Sequence, residues 1–128
     1  MKSKIKVRSL VILLLLYGCS EKLIEVTSVD QIPGTWRWES TCGGDIDYTC
    51  VNGSKSNYAT IEFRSDGVYL EKHMDTVFLQ TNYSILKSDD MFGTLILENP
   101  SDSRPVTVLN NLLIIQRGTF EDSYSKIK

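Results

Sequence analysis

The sequence predicts an all-β domain over residues 33–128: a small antiparallel up-and-down β-barrel of about eight strands. Three observations predict it. Short runs rich in β-branched and aromatic residues recur at even spacing from Thr35 to Lys128. Turn residues punctuate every interval between them, and no window in that range holds a helical period.

The elements follow in order. Pro33-Gly34 breaks the chain, and Thr35-Trp36-Arg37-Trp38-Glu39-Ser40 opens the first strand with residues suited to a pleated surface. Trp36 and Trp38 are two apart and share a face. Trp36 is expected to fill the closed end of the core. In Tyr58–Arg64, Ile61 and Phe63 alternate with Glu62 and Arg64, and Ser65-Asp66-Gly67 turns the chain back. A three-residue loop with a bulge at Gly67 sets Phe63 opposite Tyr69. A two-residue loop sets it opposite Leu70, and both remain open. Val77, Leu79, Tyr83 and Ile85 alternate next; Gly93–Glu98 follows, closed by Asn99-Pro100-Ser101-Asp102. Val106–Leu109 and Leu112–Arg117 flank the tight-turn dipeptide Asn110-Asn111, and a last run ends at Lys128.

Ahead of this domain the chain changes character. Residues 1–8 carry four positive charges and no acid, the run Leu10–Leu16 is apolar, and Tyr17-Gly18-Cys19 follows. These are the parts of a cleaved secretory signal over 1–18; the apolar run is shorter than the roughly 20 residues of a membrane span. Leu16-Tyr17-Gly18-Cys19 resembles the lipobox of bacterial lipoproteins, with Tyr17 departing from the usual small or aliphatic residue. The resemblance implies acyl chains on Cys19, and several chains on one residue give durable anchoring. Ser20 is not the aspartate that resembles an inner-membrane retention signal, which points to the outer membrane. Residues 19–32 then read as a lipidated N-terminus and tether, in which Leu23, Ile24, Val26, Val29 and Ile32 can lay a short helix or irregular segment against the domain.

Removing the signal takes four of the fourteen basic residues and none of the sixteen acids, leaving a net charge of about −6. Such a surface argues against nucleic acid, whose phosphates require basic patches. Cys42 and Cys50 remain in an oxidising compartment, and a disulfide is their default state. A two-cysteine metal site lacks the further ligands zinc requires.

Gly34-Thr35-Trp36 resembles the Gly-x-Trp opening of the lipocalin superfamily. The resemblance runs through Phe63–Tyr69 to Tyr124-Ser125-Lys126-Ile127. It implies a meandering antiparallel barrel open at one end, with the tryptophan packed near a basic residue of a late strand. Arg117 is the residue assigned to that place over Trp36. The chain is shorter than typical lipocalins and lacks their flanking C-terminal helix, and a narrow barrel can be filled by its own side chains.

Little in the chain suggests catalysis. His73 is the single histidine, in Glu71-Lys72-His73-Met74-Asp75, and reads as a solvated loop residue. Asp45 and Asp47 lack the further acids of a calcium loop, and Asp89-Asp90 reads as a turn. No metal or other cofactor is expected, and the chain is not expected to be an enzyme. Expected instead is a membrane-anchored binding module for a small apolar or envelope-derived ligand. Its binding surface would be the barrel mouth or the loop carrying Asp45, Ile46 and Tyr48. The alternative is a protein-interaction lipoprotein, an inhibitor or accessory subunit, with a filled barrel.

Overall fold

The computed structural model describes residues 25–53 and 58–127; the expected signal segment and Cys19 lie outside them. Among the described residues nine strands follow a single 3-10 turn at Val29–Gln31: β1 (Gly34–Gly43), β2 (Thr49–Asn52), β3 (Ala59–Phe63), β4 (Val68–His73), β5 (Thr76–Lys87), β6 (Phe92–Glu98), β7 (Ser101–Leu109), β8 (Leu112–Arg117) and β9 (Phe120–Lys126). From β3 to β9 each strand pairs antiparallel with the next, and β1 closes the ring between β3 and β9. The result is an eight-strand up-and-down barrel, the architecture expected, with β2 as an extra strand. Closure removes the edges that an open sheet would expose.

Strand β2 is the element that the pattern does not foretell. It folds back on the far half of β1, pairing Ser40 with Asn52 and Gly43 with Thr49. All four of its residues are exposed, so no alternation marks it. Cys42 and Cys50 face each other across this pairing and are disulfide-bonded.

Local chemistry sets the other turns. Phe63 pairs with Tyr69, which decides for the three-residue loop, and Gly67 takes φ 87°. Asn110 and Asn111 both have positive φ, as a two-residue turn of the primed kind requires.

The two ends of the barrel differ. At the end carrying the β3–β4, β5–β6 and β7–β8 turns, the segment before β1 forms a floor. Val26, Val29 and Ile32 are buried in the same cluster as Trp36, Phe63, Val106, Val108 and Leu113. The segment expected to be a tether therefore contributes to the core from Val26 onward. Ser28 and Gln31 cap its turn reciprocally. Asn111 clasps it, with its amide on the Val26 carbonyl at 3.0 Å and its side-chain oxygen receiving the Val26 N–H at 2.5 Å. The Val29 N–H reaches the Asp90 carbonyl at 2.8 Å, and Lys87 bridges Asp30 at 2.6 Å.

Trp36 completes this floor. It is fully buried, and its indole N–H donates to the Ile32 carbonyl at 2.8 Å. The cation over its ring is Lys126, 5.6 Å from the centroid, whose ammonium also donates to the Gln31 carbonyl at 2.6 Å. Arg117 does not take that place, contrary to the expectation from sequence. It pairs with Phe120 on β9, which pairs with Gly43 at the far end of β1. Trp36 lies seven residues back along β1, roughly 23 Å away at about 3.3 Å per residue. A resemblance names a late basic residue; only the register says which one stands beside Trp36.

Candidate functional site at the barrel mouth

The opposite end is open. A cavity of about 380 Å³ enters the barrel there, lined among others by Trp38, Glu71, His73, Phe78, Arg104 and Arg117, with Thr41, Asp122 and Tyr124 behind them. Each polar group takes an inward position that an apolar residue holds one step deeper. Glu71 follows buried Tyr69, Arg117 follows buried Ile115, Arg104 precedes buried Val106, and Asp122 precedes Tyr124. Period-2 alternation thus carries the inner wall from apolar floor to polar mouth.

The polar groups form two clusters, one around Arg104 and one around Arg117. Tyr69 donates its hydroxyl to Glu71 at 2.8 Å. Arg104 reaches Asp102 through Nε at 2.8 Å and Glu71 through Nη1 at 3.5 Å. Arg117 grips Asp122 with Nε and Nη2. Asp122 also accepts from Thr41 Oγ1 at 2.6 Å, and Thr41 accepts the Trp38 indole N–H at 2.8 Å. Among the described residues no buried side-chain nitrogen or oxygen lacks a partner.

Electrostatics favour the charged forms of Arg117, Arg104 and Asp102. Hydrogen bonding to Asp122 holds the Arg117 guanidinium above its ordinary value, against some burial. For Arg104, burial opposes the charge, but Asp102, Tyr69 and Glu71 together outweigh it and the value rises. Asp102 is lowered chiefly by its bond to Arg104. Burial first, and then neighbouring carboxylates, push the Tyr69 and Tyr124 hydroxyls far up, so both stay protonated donors.

Two guanidiniums thus stand on adjacent strands of one wall. The Arg104 side chain is 17 % exposed and that of Arg117 47 %, so Arg117 reaches the opening and Arg104 lies deeper. The 3.5 Å contact from Arg104 to Glu71 is at the limit of a hydrogen bond and yields readily to a better acceptor. Trp38 and Phe78 offer apolar faces beside these charges.

His73 closes β4 rather than lying in a loop; its ring meets that of Phe78 at 6.0 Å. Asp45, Ile46 and Tyr48 stand in the β1–β2 loop at the mouth end. They are exposed, Ile46 by 95 %, and are not among the residues lining the cavity. Among the described residues no group of three His, Cys, Asp or Glu side chains gathers to hold a metal ion. Glu71, Arg104 and Asp122 escape the sequence reading because they are scattered along the chain. Their signal is a charge on the inward phase of a strand, next but one to a core residue.

Compared with protein-family models, curated proteins and solved structures, the chain matches none.

Proposed function

We propose that this chain is a non-catalytic binding module, tethered to the bacterial outer membrane through acyl chains on Cys19, that takes a small ligand in the barrel mouth. One observation carries the proposal: a 380 Å³ mouth in which Arg104, Arg117 and Tyr124 converge beside the aromatic walls of Trp38 and Phe78. Its volume falls within the range of about 300–1,000 Å³ typical of small-molecule sites. The polar lining favours an envelope-derived ligand with an acidic group and a short apolar portion over a purely apolar one. Arginine forks suit carboxylate and phosphate geometry.

A thermal-shift panel of short-chain alkyl carboxylates, alkyl phosphates and neutral alkanols tests this on the lipidated protein. Acidic members should stabilise it and neutral ones should not. Arg104→Met or Arg117→Met should each weaken binding by about tenfold or more, as loss of a charge-assisted bond implies. Undiminished binding to both variants would reject the mouth as the site.

A second reading, docking of a partner protein, rests on β2. Its four exposed residues pair with β1 alone among the described residues, and an unpaired edge can accept a further strand. Gly53 donates its N–H to Glu39 on β1, so by alternation the Asn52 N–H faces the free edge; Asn52→Pro should abolish capture of such a partner while leaving the mouth ligand bound.

A further inference from the structure

We infer that the closed end of the barrel seats on the lipid bilayer through an arc of exposed apolar side chains, which turns the mouth away from the membrane. The inference rests on the anchoring at Cys19 proposed above. Leu86 is 60 % exposed, Phe92 46 %, Leu109 45 %, Leu112 39 % and Ile127 46 %. All five lie at the floor end, within one residue of the ends of β5 to β9.

The register makes them neighbours. Leu86 faces Thr94, two residues along β6 from Phe92; Phe92 faces Thr107, two residues from Leu109; Leu109 faces Leu112. Leu112 then faces Ser125, two residues from Ile127. These residues and their cross-strand partners Thr94, Thr107 and Ser125 point away from the core, because Val106, Val108, Leu113 and Tyr124 occupy the inward phase. The arc thus spans five of the eight barrel strands on the outer surface. Contiguous apolar surface of this kind marks an interaction site rather than scattered exposure.

The position of the N-terminus selects the occupant. The described chain begins at Glu25, in the floor segment clasped to the β7–β8 turn. Cys19 precedes Glu25 by six residues, which span at most about 20 Å when extended. An acylated Cys19 therefore holds this end within reach of the headgroups. The mouth lies the length of β1 beyond, roughly 33 Å for its ten residues. Apolar side chains confined near an acyl anchor add to its hold as they enter the interface. The other exposed apolar residues, Ile46, Tyr48, Val51, Met74, Val77, Phe78 and Phe120, sit at the mouth end and face away.

Tryptophan quenching in vesicles of phosphatidylethanolamine and phosphatidylglycerol with brominated acyl chains tests the orientation. The lipidated full chain is compared with its Leu112→Trp, Phe92→Trp and Phe78→Trp variants, and the parent emission is subtracted. Co-sedimentation with the vesicles is measured first. Leu112→Trp and Phe92→Trp should lose most of their added emission in the brominated vesicles and shift to the blue, while Phe78→Trp keeps its own. Sedimenting protein whose Leu112→Trp and Phe92→Trp emission is unquenched would overturn the seating and leave the anchor standing. Quenching of Phe78→Trp alone would reverse the orientation. Lipidated protein that fails to sediment would overturn the anchor itself, and this inference with it.

Discussion

Replacing Trp36 by Phe should destabilise the domain by about 2–4 kcal/mol, and the estimate builds from two losses. The first is the buried bond from its indole to the Ile32 carbonyl. Leaving that carbonyl unpaired costs about 1–3 kcal/mol. The second is volume: the smaller ring leaves roughly 40 Å³ in a fully packed floor, worth about 1 kcal/mol at 24 cal/mol per Å³. Trp38→Phe is the matched control at the other end. Trp38 also donates to a hydroxyl, but it is half-buried in an open mouth, and Thr41 keeps Asp122 as a partner. Its loss should stay near about 1 kcal/mol. Urea unfolding followed by far-UV circular dichroism reads both. For a domain of about 100 residues the Trp36 variant should lose roughly 10–25 °C in Tm. Equal losses for the two variants, or a Trp36 loss below about 0.5 kcal/mol, would refute the reasoning that one end is a sealed floor and the other a wet opening.

Further predictions concern closure and the floor. Joint replacement of Cys42 and Cys50 by Ala should lower stability by about 2.5 kcal/mol through loop entropy, with the barrel's β spectrum unchanged. At Gly43, at the mouth end of β1, an added Cβ would lie 2.2 Å from the Thr119 carbonyl oxygen and 2.8 Å from Phe120 Cα. Gly43→Ala should therefore cost about 1–3 kcal/mol or more and speed hydrogen exchange along β1 and β9. The Lys87–Asp30 pair gives a pH signature. Its hydrogen bond to Lys87 lowers Asp30 below its ordinary 3.8, so that contribution is present above 3.8 and fades as pH falls through the lower folded value. Bonding to Asp30 first, then to Asp90, raises Lys87 above 10.5, so its share is present below 10.5 and fades as pH rises through the higher folded value. The stability gap between wild type and Lys87→Met should be flat between these limits and close outside them; a gap independent of pH at both extremes would remove the pair from the account.

Much of the barrel was legible because its chemistry is local. Phe63, Tyr69, Leu95, Leu97, Val106, Val108, Leu113 and Ile115 fall on alternate positions and are buried. Gly67 and Asn110-Asn111 stand where positive φ is needed. Trp36 fills the core at the closed end, as its place at the start of β1 suggested. Strand β2 was not legible, because Thr49–Asn52 buries nothing and is held by pairing and by the disulfide. The assignment of Arg117 to Trp36 failed for a related reason. Lys126 and Arg117 are both basic residues near the C-terminus, and only the pairing of Trp36 with Lys126 separates them. The mouth clusters gave no local signal of the same kind. Arg117 of β8 and Asp122 of β9 meet across one hairpin, but Glu71 comes from β4 and Arg104 from β7, and only the closed ring brings those two together.

The mouth as ligand site is tested most directly by NMR titration of the lipidated protein in micelles with a short-chain alkyl phosphate. Saturable shifts are expected of the Trp38 indole N–H and of the Arg104 and Arg117 Nε–H signals, with the Trp36 indole N–H unmoved. Saturable shifts confined to Ile46, Tyr48 and Val51, or no shift at the two arginines, would contradict it.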